Sequence, residues 1–432
     1  MSSSREKTNR AVIQFLETLN REGNVIEKAN KKVLNTDQEE NLPSERLFII
    51  NEEFTNKRIA FLKEKNINEP LYLTGKKKFS DLKQLVGNIE NYIGMTMVPT
   101  GIIGPLRVVG SEAHGDFYVP LATSEGALVA SYHRGAKACF AAGGATSICL
   151  VEGVQRSPVF KFNNLSELAL FLMWTLAHEE ELKKITEKTS RYGKLIELGS
   201  NVEGNHLILT FEFTTGDAAG QNMVTICTNE ICNYIIENNP TKPIHWFIEG
   251  NYSGDKKATS LSFTKQRGKK VTAEILLSEK IVNEILKTTP QAMAEYWRSS
   301  TIGAIQSGAI GAQGHYANGL AAMFLATGQD VACVAEAAVG ITRMEVTPKG
   351  DLYACATLPC LIVGTVGGGT SLPSQRECLE IMDCYGLGKA RKYAEIAAAV
   401  ALAGEISIAA ALSAGHFSSA HKKLGRKNKT ND

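Results

Sequence analysis

The spacing of apolar positions divides the chain into regions of different structure. Residues 1–86 are charged, contain few glycines and follow a helical period, which predicts an N-terminal helical segment. From residue 87 onward glycines and short apolar runs predominate, and these predict strands separated by turns. A helix is predicted over 126–141, with Thr123 and Ser124 as its caps, and an amphipathic helix over 165–188.

The middle of the chain follows a strand, strand, helix order over 195–198, 207–213 and 222–238. This order predicts a small α+β domain of roughly a hundred residues, inserted into a larger one. The domains are therefore predicted as an N-terminal segment over 1–86, a large domain over 87–150 and 249–416, a small domain over 151–248 and a C-terminal tail over 417–432.

Two stretches rich in small residues come nearest to the length of a membrane span. Residues 301–327 are interpreted as one long helix, although they include polar side chains such as His315. Residues 396–414 are rich in alanine and are interrupted by Glu405. We expect both to be core helices that pack closely through glycine and alanine, and we expect no membrane association.

Composition excludes several classes of function. The 432 residues are 44% apolar and 21% charged with a net charge of +2, so no electrostatic case exists for binding nucleic acid or acidic membranes. The nine cysteines include no C-x-x-C pair, and an odd number favours a reducing, cytoplasmic compartment. No histidines and cysteines have zinc-like spacing, so no metal is expected. The start of the chain, Met1–Arg10, has no apolar signal-peptide region.

A lysine doublet, Lys256 and Lys257, follows Asp255 in a stretch bracketed by glycine and serine. Two adjacent cations repel each other unless an anion or a polarised carbonyl lies between them. A solvated surface turn is the ordinary explanation of such a pair. The flanking segments, 244–248 and 258–263, are predicted as core strands, however, and this favours a doublet that points into a site.

Other candidates for chemistry are weak when taken singly. The loop Gly216–Met223 follows a strand and opens a helix, which suits a phosphate, although the chain lacks the G-x-G-x-x-G fingerprint. Glu125 is predicted to begin a helix, where it would serve the helix dipole. Asp330 follows the predicted long helix, where it suits a loop, and His421 lies in a basic tail, where a surface histidine is expected.

Seven segments that occur in one order bring these candidates together. The segments are 90–94, 122–126, 216–223, 255–257, 328–330, 364–370 and 415–421. In order and spacing they resemble the soluble catalytic domain of the hydroxymethylglutaryl-CoA reductase family over Glu90–His421, and the Asp-Lys-Lys and Gly-Asp-x-x-Gly-x-Asn-Met patterns are similar to its eukaryote-type class. The resemblance implies a large helix-rich domain around a long central small-residue helix, interrupted by a ferredoxin-like, non-Rossmann dinucleotide-binding domain.

The resemblance also implies a reaction, in which an acyl-CoA thioester is reduced to an alcohol with two NADPH through a bound aldehyde. Lys256 would stabilise the developing oxyanion, and Asp330 would hold that lysine. Glu125 would protonate the aldehyde oxygen, and His421 would protonate the departing thiolate.

Further residues are assigned by the same resemblance. Asp217, Gly220 and Asn222 match the dinucleotide loop, and Ser190 and Arg191 match the pair that meets the 2′-phosphate. Ser131, Arg134, His315 and Asn318 match positions along the CoA thioester path. The resemblance further implies a homodimer or homotetramer whose site is completed across a subunit interface.

The predicted acyl pocket departs from the family. The family grips a distal carboxylate with an arginine, a serine and the second lysine, and the positions matched here are Ile148, Glu249 and Lys257. Glu249 would repel a carboxylate and could form an ion pair with Lys257. Hydroxymethylglutaryl-CoA is the default substrate, a different CoA- or carrier-bound acyl thioester without that carboxylate is the alternative, and a catalytically silent thioester-binding relative is the third possibility.

The assignment of Arg191 yields a test of cofactor choice. Because a guanidinium fork suits a phosphate dianion, Arg191→Ala should weaken binding of NADPH far more than binding of NADH. Fluorescence titration with each cofactor measures the two affinities. Equal losses for the two cofactors would rule out contact with the 2′-phosphate.

Overall fold

The computed structural model describes residues 50–265 and 267–415, with isolated positions 9, 12, 13, 16, 42 and 43 before them. The predictions for His421 and for the tail 417–432 lie outside the described residues. Within them the protein has the predicted α+β character, with ten strands joined into one mixed sheet and helices packed against it.

The strands are numbered in chain order. They are β1 Thr100–Gly110, β2 His114–Ala122, β3 Ala145–Arg156, β4 Val159–Lys161, β5 Lys194–Glu203, β6 His206–Thr214, β7 His245–Phe247, β8 Gly268–Leu277, β9 Ile341–Val346 and β10 Leu352–Leu361. β1 and β2 form an antiparallel pair, and β1 also runs parallel to β3. The strand order β3-β8-β10-β9 completes the larger sheet.

Helices of eight or more residues in the described part of the chain are also numbered in order. They are α1 Glu52–Glu64, α2 Leu128–Ala141, α3 Leu165–Ala177, α4 Glu179–Thr189, α5 Gln221–Asn238, α6 Pro290–Ser307, α7 Tyr316–Thr327, α8 Pro373–Ile381 and α9 Ala390–Ser413. Shorter helical turns are Leu82–Leu85, Ser260–Phe263, Glu279–Ile281, Val282–Leu286, Val331–Cys333, Val334–Ala337 and Gly368–Ser371.

The smaller sheet has the connectivity of a ferredoxin-like unit. Its elements run β4, α3 and α4, β5, β6, α5, β7, and its strands lie antiparallel in the order β7-β4-β6-β5. The last residues of β3 pair with β6, so this strand belongs to both sheets. The predicted domain boundary at 150/151 falls inside β3, and the domain division itself stays a prediction.

Helix α9 lies at the centre of the fold. Of its 24 residues 19 are buried and ten are alanine, which lets neighbouring backbones approach closely. The ring of Tyr132 in α2 lies between two glycines, because a Cβ at Gly319 or at Gly404 would come within 2.5 Å of it. Among the described residues, α9 alone combines the length and apolar character of a membrane span, and it is enclosed by the fold.

The prediction of one helix over 301–327 is wrong. The chain leaves α6 at Gly308, which has a left-handed φ of 74°, and resumes as α7 at Tyr316. Between them the backbone N–H groups of Gly314 and His315 donate to the buried carboxylate of Glu405 on α9, at 2.7 and 2.8 Å. A continuous helix would use those N–H groups internally and deprive the buried Glu405 of two of its donors.

Local capping and turn geometry correct three smaller predictions. The helix predicted over 165–188 is divided at His178 into α3 and α4. Thr123 and Ser124 do not cap α2, which starts after Ala127 in a left-handed conformation. The strand predicted over 258–263 contains the single helical turn Ser260–Phe263, so only the segment before the lysine doublet supplies a strand, the short β7.

The contact between α2 and α9 yields a test of stability. A Cβ at Gly135 would lie 1.9 Å from the carbonyl oxygen of Ala403, so Gly135→Ala must push two helices apart and should destabilise the fold by about 1–3 kcal/mol or more. Gly303 is the matched control, since its Cβ would meet no described atom within 4 Å and Gly303→Ala should stabilise its helix by up to about 1 kcal/mol. Urea unfolding of both variants measures the difference, and similar midpoints would refute the close contact.

Candidate active site

Lys256 and Asp330 form the ion pair that the sequence predicted. The ammonium of Lys256 lies 2.9 Å from Oδ2 of Asp330, and both side chains are between one third and one half exposed. Asp330 accepts a second hydrogen bond from the backbone N–H of Ala332 and so caps the helical turn Val331–Cys333. That turn follows α7, and the capped geometry fixes where the carboxylate points.

The ion pair shifts the pKa of each partner in the direction that favours its charged form. The hydrogen bond to Asp330 raises the pKa of Lys256 above its usual value, against the effect of burial. Burial raises the pKa of Asp330, but the hydrogen bond and charge of Lys256 outweigh it, and that pKa lies below its usual range. The site therefore holds a fixed cation at neutral pH.

A chain of alternating charges lies beneath the lysine doublet. The guanidinium of Arg267 is buried and donates to Oε2 of Glu336 at 2.8 Å and to Oδ1 of Asp255 at 2.7 Å. Arg156 donates to the other oxygen of Asp255 at 3.0 Å and to Glu249 at 3.2 Å. Sequence reasoning did not find Arg156, Arg267 or Glu336, because the partners are separated by up to about a hundred residues along the chain.

Gln221 joins this cluster to the cofactor loop. Its amide nitrogen lies 3.3 Å from Oδ2 of Asp330 and 3.0 Å from the sulfur of Cys333. Its backbone carbonyl accepts from Arg156 at 3.4 Å. Gln221 is the first residue of α5, so the start of that helix and the Lys256–Asp330 pair share contacts.

The structure corrects the predicted acyl pocket. Ile148 pairs with Thr272 on β8 and lies eight residues before Arg156, roughly 26 Å along an extended strand, so it is not beside Glu249. The arginine that contacts Glu249 is Arg156. The predicted ion pair between Lys257 and Glu249 is also wrong, since the exposed ammonium of Lys257 donates to the backbone carbonyl of Asp255 at 2.9 Å.

A second group of predicted residues surrounds the start of α7. Asn318 donates to Glu125 at 3.4 Å, and Nδ1 of His315 lies 3.2 Å from the buried carboxylate of Glu405. The ring of His315 stacks on Tyr132, with centroids 5.1 Å apart. Glu125 lies in the loop before α2 and does not begin that helix, contrary to the prediction.

The predicted CoA residues Ser131 and Arg134 lie on α2 and face α9. Both contact Ser407, with the hydroxyl of Ser131 at 3.0 Å and the guanidinium of Arg134 donating to the backbone carbonyl at 2.6 Å. Burial lowers the pKa of Arg134, which remains a cation at any ordinary pH.

Within one chain, the predicted catalytic residues Glu125 and Lys256 lie at opposite ends of α7. Asn318 lies in the first turn of α7 and Asp330 follows its last, and the twelve residues of that helix span about 18 Å. The contact of Glu125 with Asn318 holds its carboxylate near the opposite end of the helix from Lys256. His421 lies outside the described residues.

The predicted cofactor residues meet at the start of α5. Gly220 precedes the helix with a left-handed φ of 80°, and a Cβ there would strike Thr215 at 2.2 Å. Asn222 and Arg191 are exposed, and the hydroxyl of Ser190 contacts the sulfur of Met223 at 2.9 Å. Both carboxylate oxygens of Asp217 accept hydrogen bonds at the start of α9, from Gly388 at 2.7 Å and Ala390 at 3.0 Å.

A known protein family matches most of this chain. The family model described as hydroxymethylglutaryl-coenzyme A reductase matches residues 54–426. The chain belongs to the hydroxymethylglutaryl-coenzyme A reductase family. The predicted family is confirmed, and membership makes the protein an oxidoreductase.

Relatives from archaea share nearly half of the sequence of this family member. The 3-hydroxy-3-methylglutaryl-coenzyme A reductase of Pyrococcus horikoshii is 46% identical over 354 residues, covering 80% of this chain and 86% of the relative. That of Methanocaldococcus jannaschii is 45% identical over 344 residues, covering 78% and 85%.

A solved structure supports the same fold. The class II 3-hydroxy-3-methylglutaryl-CoA reductase of Streptococcus pneumoniae, determined with NADPH in open conformations, superposes with a TM-score of 0.66. It is 19% identical and the match covers 83% of this chain and 96% of that chain. At this identity the likeness concerns the fold of the hydroxymethylglutaryl-coenzyme A reductase family.

The Lys256–Asp330 pair predicts how stability depends on pH. Because the pKa of Asp330 is lowered on folding, its ionised form stabilises the fold above the ordinary aspartate pKa of about 4, and this contribution is lost as the pH falls through the lowered value. Asp330→Asn should therefore reduce the unfolding free energy at pH 7, by less than about 1 kcal/mol at this exposure, and less at pH 3. Urea unfolding at both pH values measures this. In a Lys256→Met background the pH dependence should shrink, and an unchanged dependence would contradict the pairing.

Proposed function

We propose that this protein reduces 3-hydroxy-3-methylglutaryl-CoA to mevalonate with two NADPH, and that the reaction takes place at Lys256. The observation that carries the proposal is the Lys256–Asp330 pair, held 2.9 Å apart and contacted by Gln221 at the start of the predicted cofactor helix. A fixed cation beside a dinucleotide loop is the arrangement that reduction of a carbonyl requires.

The role of Lys256 follows from charge. When hydride adds to a thioester or aldehyde carbonyl, negative charge grows on the oxygen, and a preorganised ammonium stabilises it. Asp330 keeps that ammonium charged and aimed, since its carboxylate is itself fixed by Ala332. Glu125 is assigned protonation of the aldehyde oxygen and His421 protonation of the thiolate, and both roles stay predictions from the family resemblance.

The residues at α5 suit a dinucleotide. Hydride transfer is the chemistry that NADPH supplies when bound. Among the described residues, no side chain caps the start of this 18-residue helix, so its first N–H groups and its dipole are available to a phosphate. The exposed Arg191 follows Ser190, which is held against Met223 in the first turn of α5, and this supports the 2′-phosphate assignment.

The cations near Lys256 favour a substrate with a distal carboxylate. Lys257 is exposed and free of Glu249, and the Nε of Arg156 has no hydrogen-bond partner within the described chain. Glu249 still opposes such a substrate, although its ion pair with Arg156 offsets much of its charge. The alternative, a thioester without a distal carboxylate, rests on Ile148 and Glu249, and of these Ile148 lies elsewhere.

A homodimer or homotetramer is proposed on two observations. In one chain Glu125 lies apart from Lys256, so a second copy can complete the site. Large apolar side chains are also exposed between Val86 and Met97, including Ile93, which is fully exposed. Analytical ultracentrifugation tests this, and a fully active single chain would exclude it.

A cytoplasmic location and the division into domains are also proposed. All nine cysteines are free thiols, which suits a reducing compartment. The ferredoxin-like unit supports a small cofactor-binding domain within 151–248, and the helix α9 supports a large domain built around it.

The substrate assignment is tested by steady-state kinetics. We expect NADPH oxidation with hydroxymethylglutaryl-CoA at a higher kcat/KM than with its neutral analogue 3-hydroxy-3-methylbutyryl-CoA. Arg156→Met should lower kcat/KM for the carboxylate substrate by about 100-fold, because a charged partner is lost, and should affect the neutral analogue far less. Glu249→Ser should raise kcat/KM for the carboxylate substrate alone.

The Lys256→Ala variant and the unmodified protein are the controls for these assays. Lys256→Ala should abolish reduction of both substrates, because the oxyanion loses its partner. Higher efficiency with the neutral analogue in the unmodified protein would overturn the choice of substrate. Reduction that persists in Lys256→Ala would overturn the assignment of the site.

A further inference from the structure

We propose that Glu336, together with Arg267, is a positioning residue that sets the backbone of Lys256 and thereby aims its ammonium at the reacting carbonyl. This inference rests on the proposed function for its kinetic consequences. The structural observation beneath it is a two-point clamp, defined here as the contacts of Asp330 and Glu336 with Lys256.

The clamp comes from one short segment of chain. Asp330 holds the Nζ of Lys256 at 2.9 Å, and Oε1 of Glu336 accepts the backbone N–H of the same lysine at 3.2 Å. The two acids are six residues apart and are joined by the helical turns Val331–Cys333 and Val334–Ala337. The ammonium and the backbone N–H of Lys256 are therefore both held by the same short helical segment.

The backbone of Lys256 needs such support. Its φ is 57°, in the left-handed region that a side chain with a Cβ rarely adopts. It occupies the third position of a turn closed by the N–H of Lys257 donating to the carbonyl of Gly254 at 3.0 Å. Glycine or asparagine is the usual residue for a left-handed third position. A strained conformation of this kind persists where its surroundings over-determine it.

Glu336 is itself fixed by burial and by Arg267. Both side chains are almost completely buried, and Nε of Arg267 donates to Oε2 of Glu336 at 2.8 Å. Arg267 also donates to the carbonyl of Gln155 on β3 and to Asp255, the residue before Lys256. The guanidinium of Arg267 thus connects the turn that contains Lys256 to strand β3 of the central sheet.

A small displacement of the ammonium has a large kinetic effect, because catalytic groups act within a fraction of an ångström of their productive position. Neither Glu336 nor Arg267 is needed to bind substrate or cofactor in the proposed site. Loss of the clamp should therefore appear in kcat and leave KM nearly unchanged.

The experiment uses the full chain and four variants. Glu336→Met should lower kcat by about 100-fold with both KM values little changed, and Glu336→Gln, which keeps an acceptor oxygen for the lysine N–H, should lower it much less. The double variant Arg267→Met with Glu336→Met replaces the buried pair by apolar groups, so its urea midpoint should recover while kcat stays low. Glu395→Gln is the matched control, because it alters a buried carboxylate on α9 that accepts backbone N–H groups from Glu112 and Ala113, away from Lys256. It should leave kcat unchanged.

A second readout does not depend on reductase activity. Trace acetylation followed by peptide mass spectrometry gives the reactivity of Lys256 relative to Lys257, and this ratio should rise in Glu336→Met as the ammonium leaves Asp330. An unchanged ratio, or a kcat that recovers together with stability in the double variant, overturns the clamp. If the unmodified protein does not oxidise NADPH with hydroxymethylglutaryl-CoA, the proposed function fails, and the labelling ratio alone decides the clamp.

Discussion

Two carboxylates on a largely buried helix constrain the loops around them. Glu395 and Glu405 both lie on α9, and a buried carboxylate is tolerated only where donors surround it. Glu395 accepts backbone N–H groups from the β1–β2 turn and from Cys149 on β3. Glu405 accepts those of Gly314 and His315 and the hydroxyl of Thr342. The turn after β1 and the break before α7 therefore take the shapes that satisfy α9.

The same requirement, that a buried charge must have partners, shapes the site, where the partners are residues of opposite charge. Burial raises the pKa of Glu336, and the adjacent Arg267 opposes this, so the pair is satisfied as a unit. Asp255 and Arg156 extend the alternation toward Glu249 and the surface. The exposed lysine doublet is the outer end of a network whose inner end, Arg267 and Glu336, is buried. The network fixes the geometry, and the doublet remains accessible to a substrate.

The elements that could be predicted from the sequence are those whose signal lies within a short stretch of chain. The segments that became α5, β5 and β6 have clear periodicity, and the loop before α5 was identified by its glycines and its place between a strand and a helix. Lys256 and Asp330 were paired only through the family resemblance, because nothing local in the sequence joins residues 74 positions apart. The long helix over 301–327 was mispredicted for a related reason: the acceptor that breaks it, Glu405, lies about ninety residues later.

The prediction of the acyl pocket is wrong for a different reason: the position matched to the family's arginine is displaced by eight residues along β3. Ile148 and Arg156 lie on the same strand, and the residues beside Ile148 in the sequence do not indicate which side chain of that strand reaches Glu249. Three-dimensional contact indicates it, since the guanidinium of Arg156 reaches Glu249 and Asp255 while Ile148 is paired with β8.

Strand β3 has a mechanical consequence through its two sets of partners. It pairs with β8 as far as Gly153 and with β6 from Val154, so the change of sheet occurs across one peptide bond. A Cβ at Gly153 would lie 2.4 Å from Oε1 of Glu212, so a side chain there would displace that carboxylate. The two sheets share one continuous strand, so a rotation of the ferredoxin-like unit against the large sheet would have to bend β3 between Gly153 and Val154.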